Sequence, residues 1–148
     1  MSQGEMLRDV LTYTVGGGIV SAVESAMAPP RQLRSPLAPP APMIGVVWTA
    51  MFAAFGVARG RLSGDPREQR EIDGLWLLCA TYPLYTGGLR RRGAAYAGNA
   101  AVAAAATAIA VRTTAKAPDA ARLVSLVVPW VAWATLALLT ERPRDGGV

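Results

Sequence analysis

Five uncharged stretches alternate with clusters of charged residues along the 148-residue chain. They are 14, 24, 16, 19 and 18 residues long and comprise Val10–Val23, Ser35–Ala58, Gly74–Leu89, Gly93–Val111 and Leu123–Thr140. A helix needs about 20 mostly apolar residues to cross a bilayer, and five such stretches exceed what the core of a small soluble domain holds. The pattern predicts an all-α membrane protein, a five-transmembrane-helix bundle forming a single domain over residues 1–148.

Prolines and charges set the predicted limits of these helices. The spans are predicted at about residues 8–27, 43–59, 72–89, 94–112 and 122–140. Because proline fixes φ and lacks a backbone N–H, the prolines before the second span predict a stiff, extended entry to a helix that begins near Met43. These prolines are Pro36, Pro39, Pro40 and Pro42. The stretch from Arg31 to Pro42 is expected to fold over one face of the membrane.

Aromatic side chains recur at helical spacing within the second span. Trp48, Phe52 and Phe55 stand at i, i+4 and i+7, so their rings lie on one face of a helix. This face suits a pocket for a flat, apolar ligand. The alternative is an ordinary helix-packing surface, which is the commonest use of such a stripe.

The third and fifth spans carry further aromatic and polarisable side chains. In the third span Trp76, Cys79 and Pro83 share one face and Tyr82 lies beside them, and the proline predicts a kink that borders a cavity. Cys79 either lines this cavity or packs as a small hydrophobic residue. Trp130 and Trp133, one turn apart at the middle of the fifth span, are expected to face protein.

Small residues dominate the fourth span. Ala97, Ala101 and Ala105 stand four positions apart, which allows two helices to approach closely in lipid. The sequence leaves open whether the partner is a helix of the same protomer or of a second copy, and we predict a homodimer interface here. Asn99 is the one amide side chain of the span and either bonds across helices or marks the membrane surface.

The amino-acid composition argues against several kinds of catalytic and metal-binding site. The chain has one cysteine and no histidine, so an intramolecular disulfide framework is excluded and a thiolate metal cluster, a histidine ligand or a histidine general base is not expected. We therefore predict no catalytic residue, no metal site and no obligatory cofactor. The net charge of +5 comes from arginines that flank apolar stretches, a pattern that indicates contact with membrane lipid rather than with nucleic acid.

Several short motifs occur in an order that resembles the TspO/translocator protein family, the tryptophan-rich sensory proteins. The motifs are Pro39-Pro40, Gly45-Val46-Val47-Trp48-Thr49 with Gly56 following, Leu89-Arg90-Arg91, and Pro129-Trp130-Val131-Ala132-Trp133. The chain departs from the family pattern at several positions. Leu37 and Pro42 replace loop tryptophans, Cys79 and Tyr82 replace an asparagine and a tryptophan, and Glu141 replaces an asparagine.

The resemblance implies five helices around a pocket that is covered by the loop between the first two. It implies a membrane receptor or carrier with a sensory or regulatory role, which binds a tetrapyrrole such as a porphyrin or haem, or a sterol-like ligand. The expected ligand-binding residues are Trp48, Phe52, Trp76, Cys79, Tyr82, Trp130 and Trp133, and the expected lid residues are Leu37, Pro39, Pro40 and Pro42.

Two other functions remain open at this point. One is light- or oxygen-dependent breakdown of porphyrin by means of the tryptophans, and the other is a structural role as a dimeric membrane partner without a ligand. The alanine- and arginine-rich composition suits a bacterium of high genomic GC content, so a multi-pass protein of a bacterial cell membrane is expected.

Overall fold

The computed structural model describes residues 3–27, 35–85 and 92–141. Within these ranges the regular structure is helical, and the all-α prediction is confirmed. The helices are α1 (Gln3–Met27), α2 (Ala41–Arg61), α3 (Pro66–Ala80), α4 (Arg92–Thr113), α5 (Pro118–Ser125) and α6 (Val127–Leu139). Because α5 and α6 follow each other across the single residue Leu126, they form one bent helix, the fifth of the bundle.

The second helix begins two residues earlier than the prolines suggested. Its first turn contains Pro42, and the backbone N–H of Ile44 already donates to the carbonyl of Pro40 at 3.2 Å. The first residues of a helix have no carbonyl partner for their N–H groups, so a proline at that point costs no hydrogen bond. The assignment of Pro42 to the extended entry was therefore wrong, whereas Pro39 and Pro40 lie outside the helix.

The third helix starts in the polar stretch before the predicted span. The carboxylate of Asp65 caps it by accepting hydrogen bonds from the N–H groups of Arg67 at 3.1 Å and Glu68 at 3.2 Å. The regular helix ends at Ala80, three residues before Pro83, which has no N–H for the Cys79 carbonyl and crowds it. Residues 81–85 continue as a turn with irregular helical geometry, and the predicted end at Leu89 lies outside the described residues.

The fifth helix is longer than predicted and is interrupted. It begins at Pro118, and its regular pattern breaks at Leu126, three residues before Pro129. A proline inside a helix cannot bond the carbonyl four positions earlier, here that of Ser125, and its ring pushes that carbonyl away. The bend separates the short amphipathic α5 from the apolar α6, which carries both tryptophans.

The helices pack around a core of branched and aromatic side chains. Phe55 of α2, Ile72 of α3, Val102 of α4 and Val124 of α5 are among the fully buried members. Helix α1 lies against α2 and α3, and the contact with α2 depends on Gly56. A Cβ atom at Gly56 would stand 2.6 Å from the Cα of Val10, so only glycine permits this separation of the two backbones.

Three helical stretches among the described residues have the length and apolar composition to cross a membrane. They are Ala41–Arg61, Arg92–Thr113 and the combined stretch Pro118–Leu139. Helix α1 carries Glu5, Arg8, Asp9 and Glu24, and the regular part of α3 has 15 residues, five of them acidic or basic before Gly74. We call the end of the bundle that holds the 62–65 and 114–117 connections the charged end, and the opposite end, beside residues 35–40, the loop end.

Candidate functional site

Eight aromatic side chains from four helical segments form one continuous cluster inside the bundle. Neighbouring ring centroids are 5.2–6.5 Å apart, within the range of favourable aromatic contact. The members, called the aromatic cluster below, are Tyr13 from α1, Trp48 and Phe52 from α2, Trp76, Tyr82 and Tyr85 from the third helix, and Trp130 and Trp133 from α6. The structure thus brings together the six aromatic residues that were expected to bind the ligand, and adds Tyr13 and Tyr85. Phe55, the third ring of the α2 stripe, is fully buried in the hydrophobic core instead.

Trp48 is the branch point of the cluster. Its ring lies 5.2 Å from that of Tyr82, 5.8 Å from Phe52 and 6.5 Å from Trp130, the last in edge-to-face orientation. Trp130 in turn meets Trp133 edge to face at 5.7 Å. Three helices therefore contribute rings to the loop end of the cluster, which is the part nearest residues 35–40.

The segment 35–40 is tied to the end of α6 by two hydrogen bonds. The indole N–H of Trp133 donates to the carbonyl oxygen of Leu37 at 2.9 Å, and the Ser35 and Thr140 hydroxyls are 2.7 Å apart. Leu37 thus lies over the aromatic cluster, where the resemblance led us to expect a lid. Trp133 keeps 39% of its surface exposed, so the expectation that both tryptophans face protein holds only in part for Trp133.

Three of the expected ligand-binding residues lie deeper. Phe52 and Cys79 are 3% and 1% exposed and belong to the hydrophobic core. The ring of Phe52 fills the space beside Gly17, where a Cβ atom would collide with it. Trp76 faces α1, because its indole N–H donates to the Tyr13 carbonyl at 3.0 Å. Phe52 and Cys79 therefore pack inside the core, and Trp76 packs against α1.

A buried amide stands beside the aromatic cluster. The Asn99 side chain is almost fully buried and donates to the Thr135 hydroxyl at 2.9 Å, which itself donates to the Val131 carbonyl at 2.7 Å. The Thr135 proton is thus used, which fixes the orientation of the amide and leaves Asn99 Oδ1 without a hydrogen-bond partner. Of the two alternatives for Asn99, the structure shows the hydrogen bond across helices.

The sequence did not reveal a charged network that joins the first three helices near the charged end. The Arg59 guanidinium lies 2.9 Å from Asp9 of α1 and 2.9 Å from Asp73 of α3, and Tyr13 donates its hydroxyl proton to Asp73. Asp9 is 9% exposed. These residues are up to 64 positions apart, so the spacing within one helix does not predict that they pair. The only signal in the sequence is that isolated charges stand at the edges of apolar stretches.

The alanines of the predicted dimer interface do not share one environment. Ala97 and Ala101 are exposed on α4, whereas Ala105 is partly buried and faces α3 beside Leu75 and Leu78. Part of the small-residue stripe thus serves contact between α3 and α4 of the same protomer. The dimer remains a prediction.

Comparison with known proteins identifies the fold. Neither a search of curated proteins nor a search of solved structures found a match. The family model described as TspO/MBR family matches residues 10–141, which is nearly the whole chain and includes every helix that contributes to the aromatic cluster. The chain therefore belongs to the TspO/MBR family and is a multi-pass membrane protein with that family's five-helix bundle.

Proposed function

We propose that the protein is a membrane receptor or carrier that binds a tetrapyrrole of the porphyrin or haem type, or a similar flat apolar ligand, at the loop end of the aromatic cluster. The observation that carries the proposal is the convergence of Trp48, Trp130 and Trp133 beneath Leu37. A planar macrocycle gains stacking energy from each indole face, about 0.5–1.5 kcal/mol beyond the burial of its surface. Membership of the TspO/MBR family supports the same ligand class.

The role proposed for each residue follows from its place. Trp133 offers the accessible ring and holds the lid through its N–H, while Trp48 and Tyr82 form the opposite wall. Phe52, Trp76 and Cys79 close the floor and keep it dry. In this proposal the residues bind the ligand without reacting with it, and binding is coupled to sensing or regulation.

Titration with protoporphyrin IX in detergent tests the proposal, with the porphyrin absorption band as readout so that loss of a tryptophan does not remove the signal. The double variant Trp48→Leu/Trp133→Leu is expected to raise Kd roughly tenfold or more, because two ring contacts are lost. The matched control is Val46→Ala/Leu136→Ala, which truncates two exposed side chains on the same helices and should leave Kd unchanged.

Three outcomes would overturn the receptor proposal. They are an absorption band that does not saturate, equal binding by both double variants, and loss of the porphyrin band under illumination at a rate above that with free tryptophan. The last result would instead favour porphyrin breakdown. Gel filtration and thermal unfolding of each variant show whether a change in Kd reflects the site or the fold.

A further inference from the structure

An apolar groove runs between α3 and α4 on the side of the bundle away from α1. It has a volume of about 230 Å³ and is lined by Gly74, Leu75 and Leu78 from α3 and by Ala105 and Ile109 from α4. Two small residues, Gly74 and Ala105, create the space. A Cβ atom added at Gly74 would meet no atom within 4 Å. The groove ends at Glu71 and Arg112, seven positions from Leu78 and Ala105, so its length is about 10 Å at 1.5 Å per residue.

Glu71 and Arg112 also line a charged cleft at the beginning of α3. This cleft has a volume of about 280 Å³ and contains three acidic and three basic side chains, so it has no net charge. They are Asp65, Glu68 and Glu71 with Arg67, Arg112 and Lys116. Arg112 pairs with Glu71 at 2.6 Å and Lys116 with Glu68 at 2.9 Å. Groove and cleft therefore form one composite site that is apolar within the membrane and charged at its surface.

Glu68 has one buried carboxylate oxygen without a hydrogen-bond partner. The residue is 6% exposed, and its Oε1 atom accepts from Lys116, whereas its Oε2 atom has no hydrogen-bond partner. A buried carboxylate oxygen without a donor is costly, and most such atoms in proteins are satisfied by a side chain, water or a ligand. A hydrogen-bond donor, preferably a cationic one, would satisfy this oxygen.

We infer that this composite site binds one phospholipid with a zwitterionic, primary-ammonium headgroup, of the phosphatidylethanolamine class. One acyl chain lies along Leu75, Leu78 and Ile109, the phosphate pairs with Arg112 and Arg67, and the ammonium donates to Glu68 and Glu71. Charge complementarity selects this lipid. A headgroup that carries only negative charge would be repelled by the three acidic side chains as much as it is attracted by the three basic ones. A choline headgroup has no N–H group to donate to Glu68.

Lipid binding to the delipidated full-length protein in detergent tests the inference, with dioleoyl phosphatidylethanolamine, phosphatidylcholine and phosphatidylglycerol as probes and native mass spectrometry as readout. The ethanolamine lipid is expected to bind roughly 3- to 10-fold more tightly than the choline lipid, as one additional hydrogen bond provides. The variant Glu68→Gln is expected to remove this preference while binding of the choline lipid persists.

A second variant separates the groove from the charges. Gly74→Leu fills the groove without a clash at Cβ and is expected to weaken all three lipids at least fivefold, whereas Gly18→Leu, at an equally open position on α1, is expected to change nothing. Equal binding of the three lipids, a preference for phosphatidylglycerol, or unchanged binding by Gly74→Leu would overturn the inference. Because the site is separate from the aromatic cluster, none of these results bears on the tetrapyrrole proposal.

Discussion

The indole N–H of Trp133 donates to the carbonyl oxygen of Leu37, and this hydrogen bond joins residues 96 positions apart. It fastens the segment before α2 to the middle of α6, where the Trp133 ring also meets that of Trp130 edge to face. In the proposed function, this side chain provides a stacking surface for the ligand and also holds the lid. Our first prediction separates these two roles.

Replacing Trp133 with phenylalanine keeps an aromatic ring and removes the donor. We expect the backbone amides of Leu37 and Ala38, which bond to Ser35 in the closed segment, to exchange with deuterium roughly 2- to 10-fold faster, in line with the net worth of one hydrogen bond. Trp130→Phe, which leaves the Trp133–Leu37 bond in place, serves as the control. Equal exchange in both variants would mean that the bond does not hold the lid.

Gly56 is expected to be the most sensitive glycine of α2. An alanine there forces α1 away, because its Cβ would meet the backbone of Val10 and of Asp9, and overpacking of this kind costs about 1–3 kcal/mol. Gly45→Ala on the same helix places its Cβ in open space and gains helix propensity. Thermal unfolding in detergent should therefore show a lower Tm for Gly56→Ala and an equal or higher Tm for Gly45→Ala.

The Arg59 network should matter more than the pairs at the surface. Arg59→Gln leaves the largely buried Asp9 with only the exposed Arg8, 3.9 Å away, and disturbs Asp73, so we expect a loss of about 1–3 kcal/mol of stability. Arg61→Gln breaks a pair with Asp119 in which both side chains are about half exposed, and such pairs are worth about 0–1 kcal/mol. Similar unfolding curves for the two variants would contradict this ranking.

Asp65 and Lys116 should make the stability of the protein depend on pH in the acidic and the alkaline range, respectively. The backbone N–H of Glu68, followed by Lys116, lowers the pKa of Asp65, so its contribution is present above the unfolded value and disappears as pH falls through the lower folded value. Hydrogen bonds to Glu68 and then Asp65 raise the pKa of Lys116, so its contribution is present below the unfolded value and disappears as pH rises through the higher folded value.

The measurement is the Tm as a function of pH for the parent chain and for Asp65→Asn. The asparagine retains a cap for α3 but has no charge, so the acid-range decline of Tm should become shallower. A Lys116→Met variant should likewise flatten the alkaline decline. If both variants keep the parent's pH profile, these two groups do not contribute to the pH dependence of stability.

The sequence by itself determined the fold class and the approximate helices, because membrane spans are set by the length of uncharged stretches. It also identified most of the aromatic cluster, since Trp48 with Phe52 and Trp130 with Trp133 are fixed by the spacing within a helix. The start of α2 at Ala41 was misplaced, because proline is excluded from a helix interior but not from its first turn.

Only the tertiary structure decided which helices meet. The pairing of Trp133 with Leu37, the Arg59 network, the Asn99–Thr135 bond and the groove at Gly74 all join residues distant in sequence. Periodicity shows which side chains share a face of one helix, but it does not tell which other helix that face contacts. Packing resolves this by matching shapes and charges across helices, as when Gly56 lets α1 approach closely enough for Arg59 to reach Asp9.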